Sequence, residues 1–495
     1  MAITNPGSLL NSTPASIQQT LSTNYLDLST NAGWGQQYVP DLMEKEAEVF
    51  GPRTISGFLA QVGAEEAMTA DQVIWSEQGR LHLSYTCTMT DNNGNINGSL
   101  NGGKVTITDF IDTNADYTSG SHGIRVNDTV IVANPEAVIK ALVTEVDGNV
   151  VELAPYGVAD CSAITDAKTD CVIMVYGSEF AKGKKYLSAA AAEADSRGAN
   201  EPSFKSFSNK PIIMKDYYEV SGSDASRIGW VEISSEAGAA GYLWYLKAEA
   251  DTRARFADYV EMAMLEGELG VHGTDAVDNF LGTAGDSVGT QGLFAAIESR
   301  GNVTTGVTGV NAATDLAEFD AILAEFDKQG AIEEYMMFVN RTTSLAIDDM
   351  LASMNSYGSG GTSYGIFNNS EDMALNLGFS GFRRGSYDFY KSDFRYLNDK
   401  ATRGGINDAA GANAIRGVFI PAGTSSVYDQ TVGASMRRPF LHVRFRASQT
   451  DDRRMKTWVT GSVGAATSAL DALQIHFLTE RCLITQGANN FMLMK

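Results

Sequence analysis

Residues 236–269, EAGAAGYLWYLKAEADTRARFADYVEMAMLEGEL, read as one long helix. Leu243, Leu246, Ala250, Ala254, Ala257, Val260 and Met264 recur at three- and four-residue spacing, which makes one apolar stripe. The other face offers charge pairs four apart: Lys247 with Asp251, Glu249 with Arg253, Asp251 with Arg255. Each pair contributes only about 0.2–0.5 kcal/mol, but together they suit a long wet face. No proline interrupts the run, and Gly270 stands where a helix would stop. At about 1.5 Å per residue the helix would be on the order of 50 Å long, about three times an ordinary globular helix. It is either a large core helix or a spine on which a sheet and long arms are hung.

Downstream, DLAEFDAILAEFDKQG (315–330) is an amphipathic helix with Leu316, Phe319, Ile322, Leu323 and Phe326 on one face. GLFAAIESR is a shorter helical piece. YMMFVN (335–340) reads as a buried strand that feeds the helix RTTSLAIDDMLASM, with Asn340 as its N-cap. A glycine-rich loop, SYGSGGTSYG, follows. Strand candidates are SYDFYKSDFRYL, RGVFIPAG, RRPFLHVRFRA and the tail CLITQGANNFMLM, with a helix expected in GAATSALDALQIHFLTE. Strands and helices in this order suit an α+β domain with a mixed sheet.

Upstream, residues 1–40 are polar and rich in Ser, Thr, Asn and Gly, and are expected to form an arm lying on a neighbouring subunit. DLMEKEAEVF and TISGFLAQVG read as two short helices split by Gly51-Pro52. In residues 71–89 Val73, Trp75, Leu81, Leu83 and Tyr85 alternate, which predicts two strands around a turn near Gln78-Gly79. DNNGNINGSLNGG (91–103) is a hinge into an inserted unit of short β-rich runs at 104–178, a small barrel or sandwich with an Asp147-Gly148 hairpin signal. Ile212 to Val220 reads as the return strand of a two-stranded arm whose outward strand is 71–89.

The 495 residues bound the answer at two to four domains. Sixty acidic against 37 basic residues give a net charge of −23, which argues against a broad basic grip on nucleic acid. No apolar run reaches membrane-spanning length and MAITNPGSLL lacks the regions of a signal peptide, so use inside a cell, or in something built there, is expected. Cys87, Cys161, Cys171 and Cys482 form no CxxC and are expected to be reduced structural thiols. His82, His122, His272, His442 and His476 fall in five separate contexts. GSEFAKGKK (177–185) has the wrong spacing for a phosphate-binding loop. Asp348-Asp349 reads as solvated surface, and Asp451-Asp452-Arg453-Arg454 as a local salt-linked turn. No catalytic, cofactor or metal site is expected, and a chain of this length without one is expected to work by assembly.

The order of parts resembles the major capsid proteins of tailed bacteriophages, the Hong Kong 97-type fold. WGQQYVPDL (34–42), DQVIWSEQGRLH (71–82) and GYLWYLKAEADTRARFADYVE (241–261) are similar to capsid proteins of the crAss-like phages of gut bacteria. The resemblance implies an N-terminal arm with short helices (1–70) and an extended two-stranded loop (71–103 and 179–230). It further implies an inserted β-rich domain (104–178), a peripheral domain with the spine helix (231–330) and an axial domain (331–495). The inserted domain departs from the simplest members. The implied function is non-enzymatic: hexamers and pentamers of this chain forming an icosahedral shell around double-stranded DNA. The implied partners are further copies, a portal, a separate scaffold, and minor or decoration proteins, with no sequence-specific DNA contact, no membrane and no cofactor. The implied location is the virion, assembled in the host bacterial cytoplasm. Residues expected at contacts between subunits are Trp34, Trp75, Arg80, Leu243, Leu246, Arg253, Ala257, Arg383 and Arg384. Two alternatives remain: an encapsulin-like compartment shell, and a large soluble hydrolase with an acidic site assembled from distant residues.

Overall fold

The computed structural model describes residues 64–78, 83–96, 100–111, 122–182, 204–225, 232–234, 240–271, 274–281, 288–329, 332–355, 381–422, 424–429 and 434–495. The arm expected at 1–40, the short helices at 41–63 and the glycine-rich loop at 356–365 lie outside them. The chain divides into two units, residues 76–207 and, together, residues 1–75 and 208–495.

Six strands close the smaller unit into a barrel. Their order is Cys171–Ser178, Ser84–Asp91, Gly103–Phe110, Val150–Pro155, Val138–Asp147 and Asp128–Ala133, which returns to Cys171–Ser178. Period-two alternation builds it: Tyr85, Cys87, Met89, Val105, Ile107, Val130, Val132, Val151 and Leu153 all turn inward and are at most 2% exposed. At this strand number the side chains fill the interior. The turn after Asp147 carries Gly148 at φ +58°, a backbone state open to glycine, as the hairpin signal requires. The barrel begins earlier than the expected 104–178. Its closing strand, Ser84–Asp91, was expected in the arm. Alternation alone does not tell an arm strand from a barrel strand, but a sheet with two open edges closes by taking one more.

Among its described residues the larger unit holds two large sheets, of five and six strands, beside two-stranded ribbons. In the first, Ala64–Met68 pairs in parallel with Leu441–Arg446, which pairs antiparallel with Ala472–Thr485. Ile212–Ser221 lies along the other edge of Ala472–Thr485, and Lys456–Gly461 also pairs with it. The second sheet runs Asn302–Thr304, Met492–Met494, Gly417–Pro421, Glu334–Val339, Tyr387–Asp393, Gly381–Arg384. Glu334–Val339 is central and buried on both faces. Tyr335, Met337 and Val339 join one core with Phe319, Ile322 and Phe326 of helix Ala312–Gln329 and Ile347 and Met350 of helix Arg341–Asn355. Phe338 joins another, with Met264, Leu265, Leu293, Leu441 and Leu483. Asn340 caps the second helix as expected, its Oδ1 accepting Thr343 N–H at 2.8 Å. This is an α+β architecture.

Four expectations are corrected. The spine helix is Leu243–Glu266, 24 residues rather than 34, or about 36 Å. Ala240–Tyr242 before it is extended and pairs with Glu232–Ser234; Gly238 and Gly241 make that end a poor helix. Its stop is Gly267, not Gly270: an added Cβ there would lie 2.6 Å from the carbonyl oxygens of Ala263 and Thr290. The buried stripe is also rotated. Thr252, Phe256, Val260 and Met264 are buried while Ala250 and Ala254 are exposed, because bulky side chains set the phase and alanines fit either face. Third, the helix expected from GAATSALDALQIHFLTE is instead the strand Ala472–Thr485. Its apolar run is buried on both faces, where strand and helix periodicities cannot be told apart. Finally, Ile212–Ser221 is not the arm's return strand but an edge of the first sheet; Val73–Gln78 pairs instead with Phe204–Asn209. Among the described residues, no helix is long and apolar enough to cross a membrane.

Candidate assembly surfaces

The spine helix rests on the first sheet through Phe256 and Val260, which pack on Ile475, Phe477 and Met214. Its C-terminal residue, Glu266, accepts the Tyr396 hydroxyl at 2.8 Å and Arg403 Nη1 at 2.7 Å. Burial raises the pKa of Glu266, and the Tyr396 hydrogen bond and the Arg403 charge oppose that rise. A second clamp is Asn209, 1% exposed. Its amide donates to the carbonyls of Leu483 at 2.6 Å and Gln291 at 3.0 Å, and its Oδ1 accepts Gln291 N–H at 2.8 Å. With the core that Phe338 of the second sheet shares with Met264 of the spine and Leu441 and Leu483 of the first sheet, these contacts make the spine and the two sheets one platform.

Charge is concentrated around that sheet. Glu480, 4% exposed, is held by Arg446 and Arg453, each at 2.9 Å. On the spine side Arg481 lies 3.5 Å from Glu65, which also pairs with Arg454. Burial lowers the pKa of Arg481, and Glu65 and Glu261 oppose the shift. Glu65, Glu261, Arg454 and Arg481 line a cavity of about 640 Å³ with Ala257 and Val260 of the spine. The turn 451–454 is linked locally, Asp451 to Lys456 at 2.6 Å and Arg454 N–H to Asp452 at 2.9 Å, and it also reaches outward, Arg453 to Glu480 and Arg454 to Glu65. Asp348 is not solvated surface. It pairs with Lys391, whose side chain is 6% exposed and whose pKa burial lowers.

Of the residues expected at subunit contacts, Trp34 and Arg80 lie outside the described residues. Leu243 and Leu246 are placed as backbone in the first turns of the spine. Trp75 is 8% exposed, with the Arg300 guanidinium 5.5 Å from its ring centroid. Arg253 is exposed, pairs with Glu249 at 3.1 Å and sits 5.7 Å from the Phe477 ring. Ala257 is half-buried on the cavity. Arg384 forms two bonds to Asp320, at 2.5 and 2.7 Å, and Arg383 lies 3.6 Å from Asp388. The structure brings Arg253 and Ala257 together on the spine and leaves Trp75 and the Arg383-Arg384 pair elsewhere. Asn209, Glu266 and Glu480 were missed. Their partners are remote in sequence, and only the rarity of an acid inside the apolar run HFLTERCLIT hinted at Glu480.

The described residues offer little for chemistry. No group of three or more His, Cys, Asp or Glu among them could hold a metal ion. The four cysteines are buried and free. Burial pushes Cys87 and Cys482 up to about 12 and Cys161 to about 11, so these thiols stay protonated. The pattern G-x-S-x-G does occur, at residues 285–289 and 361–365. Its serines lie outside the described residues, and in glycine-rich loops so short a pattern is weak evidence of a nucleophile.

Outward, the surface is apolar in places. Helix Ala276–Leu281 exposes Val277 at 52%, Phe280 at 87% and Leu281 at 60%. Along the sheet edge Ile213 and Tyr217 are 53% and 56% exposed.

No family model and no curated protein matches the chain. Phage capsid structures are among the solved structures to which it is similar. A structure titled Microbacterium phage Oxtober96 is 9% identical, covering 95% of this chain and 99% of that chain at a TM-score of 0.37. The capsid of the cyanophage P-SCSP1u is 6% identical, covering 93% of each chain at a TM-score of 0.37. The capsid of an empty GTA particle is 11% identical, covering 93% of this chain and 96% of that chain at a TM-score of 0.34.

Proposed function

We propose that this chain is the structural subunit of an icosahedral shell of the Hong Kong 97 type. It assembles as hexamers and pentamers around the double-stranded DNA of a tailed phage, in the host cytoplasm, and does no covalent chemistry. The observation that carries this reading is apolar surface left in water: Val277, Phe280 and Leu281 turn outward from one short helix. Such surface is what a partner covers.

The order of parts supports it. The larger unit carries a spine helix on one mixed sheet and a second mixed sheet flanked by helices, and the smaller unit is a closed barrel inserted in the chain. A closed shell needs a body that repeats and segments that adapt. A net charge of −23 lets packed DNA move without sticking. A portal, a scaffold and decoration proteins complete the set of partners. The hydrolase alternative needs free acids in a pocket, and in the cavity beneath the spine Glu65 is engaged by two arginines.

The test is a sizing column beside negative-stain microscopy, with the chain expressed alone and with candidate scaffold. Shells, or rings of five and six, are expected. A monomer under both conditions overturns the reading.

A further inference from the structure

Ile212–Ser221 pairs along its whole length with Ala472–Thr485, and among the described residues no strand lies on its other side. Two bonds fix the direction of its backbone groups. Gly222 N–H donates to Asp471 O at 3.0 Å, so the even-numbered residues face the long strand. Tyr217 N–H faces outward and is held by Asp216 Oδ1 at 2.9 Å. Asp216 is itself positioned by Arg255 of the spine, 3.4 Å away. The residues with outward backbone groups also share one exposed face, the one away from the spine helix: Ile213, Lys215, Tyr217 and Glu219.

Centred on Tyr217, that face reads cation, ring, anion at two-residue spacing. It is its own complement. In an antiparallel pair about a two-fold axis at Tyr217, Lys215 of each copy falls opposite Glu219 of the other, and the two tyrosines face each other. We propose that a second copy of this chain docks here edge to edge, so that one continuous sheet crosses both subunits. The aromatic row fits. Tyr217 stacks on His476 at 6.0 Å and His476 on Trp458 at 5.0 Å, and pairing joins two three-ring ladders through their Tyr217 ends. Gln474 donates to Glu219 Oε2 at 2.7 Å and orients the carboxylate. Asp216 acts as an edge guard: its bond to Tyr217 N–H must open before the strands meet. The contact deepens the self-association proposed above, and rests on that reading for its place in a shell.

The test uses the full chain with Tyr217→Cys, the native thiols being buried. Directly opposed residues in such a pair have Cα atoms about 5.5 Å apart, within disulfide range. After oxidation with copper–phenanthroline, a non-reducing gel should show a linked dimer for Tyr217→Cys and none for Tyr218→Cys, which faces the spine. Adding Lys215→Glu sets like charges opposite at two symmetric positions and should lower the yield about tenfold. Adding Glu219→Lys as well should restore it. Oligomers on a sizing column with no crosslink at Tyr217→Cys overturn this contact and leave the shell reading intact; the edge is then covered by another segment or another protein. A crosslinked dimer that never enlarges keeps the contact and overturns the shell. A monomer with no crosslink overturns both.

Discussion

Phe256 on the spine helix and Phe477 on the long strand meet with ring centroids 6.0 Å apart, each ring 1% exposed. The pair, with Val260 and Ile475, is what seats the spine on the sheet. Phe256→Ala removes a filled volume that the neighbouring backbone cannot close over, and should cost about 3–5 kcal/mol. A denaturant titration reads this as a lower midpoint at unchanged slope. A loss below about 1 kcal/mol, the ordinary surface range, means that the spine does not bear on the sheet at this point.

At the other end of the spine, Glu266 is held by Tyr396 and Arg403. Arg403→Ala leaves its half-buried carboxylate without a cation and should cost about 1–2 kcal/mol at pH 7, since the pair keeps some contact with water. The pH dependence has a definite sign. Burial raises the folded pKa of Glu266, so the native state takes up a proton before the unfolded chain does. The penalty is therefore full above the folded pKa and is relieved as pH falls towards the ordinary glutamate value. Thermal melts of Arg403→Ala should show a deficit that shrinks from pH 7 to pH 5. The Glu266→Gln/Arg403→Ala double variant should show no such trend, and a trend of equal size would exclude Glu266 as its source.

Asn209 has a donor and an acceptor that its surroundings both use. Asn209→Ala leaves buried carbonyls of Leu483 and Gln291 and the N–H of Gln291 short of a partner, at about 2–4 kcal/mol in total. Asn209→Asp replaces two donated bonds with a carboxylate facing carbonyls, and should be worse. Equal melting points for the two variants would contradict the hydrogen-bond assignment.

In the barrel, hydrogen bonds from Lys168 Nζ and from Thr165 N–H lower Glu136 to about 2. A depressed carboxyl stabilises above its unfolded pKa of about 4.5 and loses that contribution as pH falls from there towards 2. A carboxyl NMR titration should place the Glu136 midpoint near 2. Glu136→Gln should remove this part of the chain's acid sensitivity, and a midpoint near 4.5 in the parent would mean that the bonds do not form in solution.

The helices at 312–329 and 341–355 and the strand at 334–339 were legible because each carries a strong periodicity and, for the second helix, a capping Asn340. The spine was legible in kind but not in phase: alanines at 250 and 254 fit a buried or an exposed face equally well. Ala472–Thr485 was misread because burial on both faces erases the alternation that marks a strand. Pairing was the least legible. Ile212–Ser221 finds its neighbour some 260 positions downstream, and hydrophobic pattern says which face is buried, not which strand lies beside it. The same holds at the level of sites. Nothing in the sequence pairs Arg383 with Asp388 or Arg384 with Asp320, which the fold places beside them, and Asn209 shows nothing in sequence because its partner Leu483 is 274 residues away.

The barrel's first and last strands, Ser84–Asp91 and Cys171–Ser178, are hydrogen-bonded neighbours. The register sets Ser84 opposite Met174, and the chain leaves the strand at Ser178, so entry and exit lie roughly 14 Å apart, at about 3.3 Å per residue along the strand and about 5 Å across it. That makes the barrel a cassette. A short glycine linker can replace it, or a foreign domain with adjacent termini can be grafted in its stead, without rethreading any strand of the larger unit. The chain is in this respect a ready display scaffold, with the inserted module varied from one engineered variant to the next while the platform is left as it is.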